Sequence, residues 1–320
     1  MKVAVFLNSY LGIPALEEIH RSGMLGLVVI PSVNHSGTIR VQDMINEGNL
    51  PYVRVSQDDM STRLPDIMRK ANIDITLVFT FPYRIPENVL NAPILGSINF
   101  HFGKLPKYRG AEPVFWQIRN GEKEGAIAVH RMTADLDAGP VYLQKTQPIS
   151  PGETHGLHMI RLAFRAVEVL KEAWPMITDP AFLPIPQERY EGRHANKPRL
   201  NDLLVDWTCD AEDIAALVRS CNPWNRGAIA SFKGMEIRIT QVSPLPSHGA
   251  NPASPGTILT SNEVDGVTIQ CGSSTCVRLD VVSMDEGIMT GIALSRLGFP
   301  AGDRFENLAK RTPPVHSDPI

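Results

Sequence analysis

Residues 3–30 read VAVFLNSYLGIPALEEIHRSGMLGLVVI, and the predicted architecture starts from their pattern. It opens with five apolar residues, Val3–Leu7, a run of strand length that carries two valines. The 13–20 segment that follows spaces Leu16 and Ile19 three apart, as one face of a helix does. Apolar residues return without interruption over 25–30, a second strand. Strands that are continuously apolar rather than alternating are covered on both faces. Strand, helix and strand in that form predict a parallel sheet with crossover helices.

The same alternation continues outward from this unit. Further strands are predicted over 52–55, 73–79, 96–101, 126–132 and 141–144, and helices over 61–70, 112–120 and 155–177. The expectation for residues 1–178 is therefore an α/β domain built on a doubly wound, mostly parallel sheet. Pro175, Pro180, Pro184, Pro186 and Pro198 then crowd a short stretch. Proline extends neither helices nor central strands, so residues 179–202 read as a proline-rich connection. Beyond it, a helix over 211–220 precedes short segments at 228–232, 236–241, 256–259, 266–270 and 277–282, each bounded by turn residues. These predict a small β-barrel-like domain over 203–310, with 311–320 as a flexible tail.

Composition narrows the function classes. Of 320 residues 43% are hydrophobic and 20% charged, and the net charge is −3. That composition is ordinary for a globular protein, and it gives no overall basic field for nucleic acid. No apolar run approaches the roughly 18 residues of a membrane span, and the N-terminus turns polar too soon for a signal peptide. The four cysteines, Cys209, Cys221, Cys271 and Cys276, form no CxxC pair and have no histidine spacing suited to zinc. They read as reduced thiols of a cytoplasmic protein, and no metal is expected. Nothing in the sequence sets an oligomeric state.

The stretch that carries chemistry is Gly96-Ser-Ile-Asn-Phe-His-Phe-Gly-Lys-Leu-Pro-Lys-Tyr-Arg-Gly110. On a strand, Asn99 and His101 are two apart and share a face. They sit at the carboxyl end of that strand, the end at which parallel sheets bind ligands. Thr133-Ala-Asp-Leu-Asp-Ala-Gly-Pro140 forms a turn-rich loop after another apolar strand, and it can bring a carboxylate across to the imidazole. Amide, imidazole and carboxylate together suit acyl transfer. The residue types and spacing leave open that Asn99 and His101 merely cap the strand while the aspartates solvate a loop.

Asn99-Phe-His101, Leu105-Pro106, Arg109-Gly110 and Leu136-Asp137-Ala138-Gly139 together resemble the motif set of the folate-dependent formyltransferases. That family includes glycinamide ribonucleotide formyltransferase, methionyl-tRNA formyltransferase and the amino-sugar N-formyltransferases. Residues 203–207, Cys221-Asn-Pro-Trp224, 255–259 and 301–305 are similar to the C-terminal module of the methionyl-tRNA enzymes.

The resemblance implies a 10-formyltetrahydrofolate donor, with Asn99 stabilising the oxyanion, His101 handling protons and Asp137 orienting the imidazole. It further implies a pterin pocket lined by Tyr83, Arg84 and Ile85 and closed by the loop that carries Asp135. Arg109 and Lys107, with Lys104 beside them, are candidates for holding the acceptor. Trp116 reads as a core aromatic. His35, His130, His155 and His158 read as surface or satisfied histidines.

The acceptor is either a small-molecule amine, such as an amino sugar or an amino-acid-derived metabolite, or initiator Met-tRNA. The tRNA enzymes carry a long basic insertion after the second strand. Here the equivalent stretch, 31–49, has Arg40 as its only Lys or Arg, alongside Asp43 and Glu47. Phosphate neutralisation supplies most non-specific nucleic-acid affinity, so the expectation leans to the small molecule. A non-catalytic folate- or RNA-binding homologue is the alternative from another class, and the intact Asn99, His101 and Asp137 stand against it.

Overall fold

A computed structural model describes residues 1–33, 36–192, 194–246 and 253–308. His35 and the tail 311–320 lie outside the described residues. The chain divides into two compact units, one comprising 1–114, 124–149 and 158–196, the other 115–123, 150–157 and 197–320.

The first unit begins with β1 (Val3–Leu7), α1 (Ile13–Arg21), β2 (Leu25–Pro31), α2 (Ser36–Glu47) and β3 (Tyr52–Val55). It continues with α3 (Gln57–Thr62), α4 (Leu64–Lys70), β4 (Ile75–Phe79), α5 (Glu87–Leu90) and β5 (Ser97–His101). After α6 (Pro113–Arg119), most of which belongs to the second unit, come β6 (Glu124–Arg131), β7 (Val141–Pro148) and α7 (His155–Thr178), which is in the first unit from residue 158 on. The seven strands form one sheet in the order β3-β2-β1-β4-β5-β6-β7. The first five run parallel, and β6 and β7 are added antiparallel. All five residues of β1 and of β4 are buried, as uninterrupted apolar runs predict.

The helices around 31–70 differ from the sequence expectation in two places, and α5 was not expected at all. The predicted helix 61–70 is split between α3 and α4, because Pro65 has no amide hydrogen to give and fits only the first turn of a new helix. The first piece starts earlier, at a capping box in which the Ser56 hydroxyl accepts from the Asp59 amide (3.2 Å) and the Asp59 carboxylate accepts from the Ser56 amide (2.8 Å). The stretch 31–49 contains α2, whose buried residues Thr38, Val41 and Ile45 stand three and four apart.

The second unit contains α8 (Ala211–Ser220), β8 (Ala228–Phe232), β9 (Met235–Leu245) and β10 (Ile258–Asn262). It closes with β11 (Gly266–Gln270), β12 (Cys276–Met284), β13 (Gly287–Thr290) and α9 (Gly291–Ser295). Its antiparallel sheet has the order β10-β11-β12-β9-β8, with β13 also on β12. The sheet does not close by pairing β8 with β10. Instead the irregular chain at 302–306 bridges the two edges. The Gly302 amide donates to Ile258 O (2.9 Å) and the Ile258 amide to Asp303 O (2.8 Å); farther along, the Glu306 amide donates to Ser231 O (2.9 Å). Trp207, Phe232, Phe299 and Phe305 fill the interior, with the Phe232 and Phe299 rings stacked 4.4 Å apart. All four cysteines are free thiols, and burial pushes those of Cys221 and Cys271 up to about 12. Among the described residues, no helix is long and apolar enough to cross a membrane.

Candidate active site

The site lies within the first unit, where β5 meets β6. Asn99 and His101 project from one face of β5, and the antiparallel register sets His130 of β6 directly opposite Asn99. After β5 the chain turns through Gly103, where a Cβ would stand 2.7 Å from His101 Nε2. It then returns so that the Tyr108 carbonyl meets His101 Nε2 at 2.7 Å. A carbonyl only accepts, so Nε2 carries the proton and Nδ1 is the nitrogen free to titrate.

Asp137 arrives from the loop between β6 and β7. Its φ of +50° is left-handed, a conformation that costs a non-glycine residue about 1–2 kcal/mol. Two residues on, a Cβ at Gly139 would stand 1.8 Å from the Arg131 carbonyl oxygen, so the turn admits only glycine there. Asp137 Oδ2 accepts from the Gly110 amide (2.9 Å) and faces His101 Nδ1 at 3.6 Å. Oδ1 accepts from Asn99 Nδ2 (3.2 Å) and lies 3.5 Å from His130 Nε2. His130 Nδ1 meets the Arg131 carbonyl (2.9 Å) and must donate to it, so its Nε2 is free to accept from Asn99 Nδ2 at 3.2 Å. Asn99, His101 and Asp137, drawn from two separate segments, therefore converge in one cluster, in which Asn99 is hydrogen-bonded to Asp137 and His101 Nδ1 lies 3.6 Å from its carboxylate.

The electrostatics follow from burial. His101 is 5% exposed and Asp137 8%. Burial drives the His101 pKa below its usual value, His130 adds to the fall, and Asp137 and the Tyr108 carbonyl oppose it. Burial by itself would raise Asp137, but His101, His130 and the Gly110 amide outweigh it and hold the carboxyl well below its usual range. The result is a fixed carboxylate beside an imidazole that burial keeps neutral.

The other predicted residues are placed as follows. Ile85 is buried in the sheet core, and Tyr83 is half-buried with its ring edge-on to Phe81 at 5.6 Å. Arg84 is exposed and reaches across to the Ala134 carbonyl (3.3 Å), linking the 80–86 segment to the 133–137 loop. Asp135 is exposed, and its carbonyl accepts from Thr133 Oγ1 (3.1 Å). Arg109 directs Nε and Nη2 onto Gln187 Oε1 at 3.0 and 2.8 Å. Lys104 pairs with Glu124 (2.8 Å), and the exposed Lys107 lies over the Tyr108 ring at 5.3 Å. Trp116 packs against the core of the second unit.

Sequence reading missed His130, which is 1% exposed and touches both Asn99 and Asp137. The signal was the pairing of β6 beside β5, which one apolar strand cannot announce. It also missed Gln187, because proline-rich surroundings read as a connection. Among the described residues, no group of three His, Cys, Asp or Glu side chains could hold a metal ion.

Comparison with known proteins gives the class. A formyl transferase family signature matches residues 35–174, and a formyl transferase C-terminal domain signature matches 199–293. A methionyl-tRNA formyltransferase of Dictyoglomus turgidum is 31% identical, over 83% of this chain and 85% of the relative. The fold matches an N-formyltransferase of Helicobacter canadensis, solved with folinic acid and dTDP-3-aminofucose, at a TM-score of 0.64 and 14% identity. That match covers 87% of this chain and 98% of the other. It also matches HypX of Aquifex aeolicus in complex with tetrahydrofolic acid (TM-score 0.60, 17% identity); 93% of this chain covers about half, 47%, of HypX. The chain belongs to the formyl transferase family.

Proposed function

We propose that this chain moves a formyl group from 10-formyltetrahydrofolate to a primary amine, and that the acceptor is a small molecule. The observation carrying the chemistry is the cluster of Asn99, His101 and Asp137 around one point. The acceptor nitrogen attacks the formyl carbon, and the carbonyl electron pair moves onto oxygen. Asn99 exchanges its bond to His130 for one to that oxygen, meeting charge that develops only in the transition state. Collapse re-forms the carbonyl and breaks the bond to folate N10. The amine thereby loses one proton and N10 gains one, and His101 Nδ1 is the base and acid that carries it. Asp137 shares that proton electrostatically and keeps the ring in place.

The folate ring would lie against Tyr83, Arg84 and Ile85, with the 133–137 loop on its other side. Arg84 already ties those two segments together through the Ala134 carbonyl. Apolar walls with a few fixed polar groups suit a pterin. The Helicobacter canadensis neighbour, solved with folinic acid and a nucleotide-linked amino sugar, supports both donor and acceptor class.

The small-molecule reading rests on charge. In the 31–49 stretch Arg40 is the only Lys or Arg, and Asp43 and Glu47 offset it. Lys104 and Arg109 are already engaged by Glu124 and Gln187. The 31–49 stretch thus brings no net positive charge to neutralise an acceptor stem. Initiator Met-tRNA is the second reading, favoured by the relatedness to the Dictyoglomus turgidum enzyme across most of both chains. A cytoplasmic location, and a division into a catalytic stretch 1–178, a connection 179–202 and a module 203–310, belong to the same proposal. The test is to incubate the protein with 10-formyltetrahydrofolate and a panel of dTDP-linked amino sugars, free amino acids and charged initiator tRNA, and to read formylated product by mass spectrometry. A formylated small molecule is expected. Product on the tRNA alone transfers the assignment to the second reading, and no product from any acceptor overturns formyl transfer itself.

A further inference from the structure

The proline-rich segment is folded against the site through its middle. Val141 and Ile185 exchange both backbone hydrogen bonds (2.8 and 2.9 Å), the Ala195 amide donates to Arg109 O (2.6 Å), and the Glu112 amide donates to Ala195 O (2.9 Å). Gly110 lets this happen, since a Cβ there would stand 2.6 Å from the Ala195 carbonyl oxygen. Between these two anchors lies Gln187. Its Nε2 donates to the carbonyl of Asp137 (2.8 Å) and to that of Gly139 (2.7 Å), while its Oε1 accepts from Nε and Nη2 of Arg109 (3.0 and 2.8 Å).

The orientation of this amide is forced. Arginine only donates and backbone carbonyls only accept, so Oε1 must face Arg109 and Nε2 the two carbonyls. Both amide hydrogens and the oxygen are then fully used. The carbonyls held this way belong to the left-handed residue Asp137 and to the glycine packed against Arg131, the two points at which the turn is most constrained.

We propose that Gln187 is a positioning residue of the formyl-transfer site. It holds the 137–139 turn so that the Asp137 carboxylate stays between His101, His130 and the Gly110 amide, and Arg109 acts by fixing which way Gln187 faces. The proposal rests on the role given above to Asp137. Arg109 is on this account part of the scaffold and not a phosphate clamp.

Gln187→Glu separates positioning from attachment. It keeps an oxygen for Arg109 and strengthens that bond by charge, but its carboxylate cannot donate to two carbonyls. The backbone anchors at Ile185 and Ala195 lie outside the substitution. With the acceptor found in the panel above, Gln187→Glu and Gln187→Ala are both expected to lower kcat by about ten- to a hundredfold, the scale of an ångström-sized misplacement. Binding of 5-formyltetrahydrofolate, followed by fluorescence, is expected to stay within about threefold of wild type, since Tyr83, Arg84 and Ile85 on one side of the ring are untouched. NMR titration of imidazole-labelled protein supplies a second reading that needs no acceptor. Asp137 and His130 are the titratable groups facing His101, and displacing Asp137 removes the one that favours its protonation. The His101 midpoint is therefore expected to fall in both variants. Wild-type kcat and an unmoved His101 midpoint in Gln187→Glu overturn the proposal. If no acceptor turns over in wild type, the functional reading fails while the midpoint shift still tests whether Gln187 positions Asp137.

Discussion

Replacing Asp137 with asparagine tests the site at its most connected atoms. The swap preserves shape but leaves one oxygen where two accept. One carboxylate oxygen takes the Gly110 amide and the other takes Asn99 Nδ2, so the new NH2 must confront one of these donors. A buried donor left without a partner costs about 1–3 kcal/mol. The swap also removes the charge 3.6 Å from His101 Nδ1. At an effective dielectric of about 20, that charge is worth at most about 4–5 kcal/mol to an imidazolium. The remaining amide dipole and side-chain relaxation recover part of this, so about 3–4 kcal/mol is expected in the barrier, or about a hundred- to a thousandfold in kcat.

The assay is single-turnover formyl transfer from 10-formyltetrahydrofolate, read beside 5-formyltetrahydrofolate affinity. Affinity is expected to change by less than about threefold, because Asp137 acts on the transition state. Turnover within about fivefold of wild type, or an affinity loss equal to the turnover loss, would refute the assignment of Asp137 to the chemistry.

Four further outcomes are expected. His101 has a folded pKa below its usual 6.5, so the unfolded chain takes the proton first; stability should fall as pH drops through about 6.5, and His101→Gln should flatten that part of a pH–Tm curve. Asp137 works in a lower window: its depressed folded pKa contributes stability above its usual 3.8, lost as pH falls through the folded value, so Asp137→Asn should narrow the gap to wild type only in strong acid. Gly139→Ala forces a Cβ onto the Arg131 carbonyl at 1.8 Å and should destabilise the first unit by more than about 3 kcal/mol in urea unfolding, with wild-type stability contradicting the close approach. Trp207→Ala empties a fully buried site in the second unit and should cost about 3–5 kcal/mol, read as a lowered denaturation midpoint.

Local pattern in the sequence carries the α/β class and the succession of strands along the chain, and the motif resemblance puts forward Asn99, His101 and Asp137 as the candidate trio. Buried parallel strands are written as continuous apolar runs, and Asn99 and His101 share a strand, where spacing is geometry. The break at Pro65 lies inside the single helix expected over 61–70, although a missing amide hydrogen is a local fact.

The remaining features depend on residues far apart in the chain. The register of β6 against β5 brings His130 to Asn99, and no local pattern states a register. The closure of the second unit by 302–306 joins two sheet edges across more than forty residues of chain. Gln187 reaches Asp137 across fifty residues, from a segment whose prolines speak only of what it cannot form. Proline excludes helix and ladder, but it leaves the side chains between free to hydrogen-bond, and where they do so is set by packing alone.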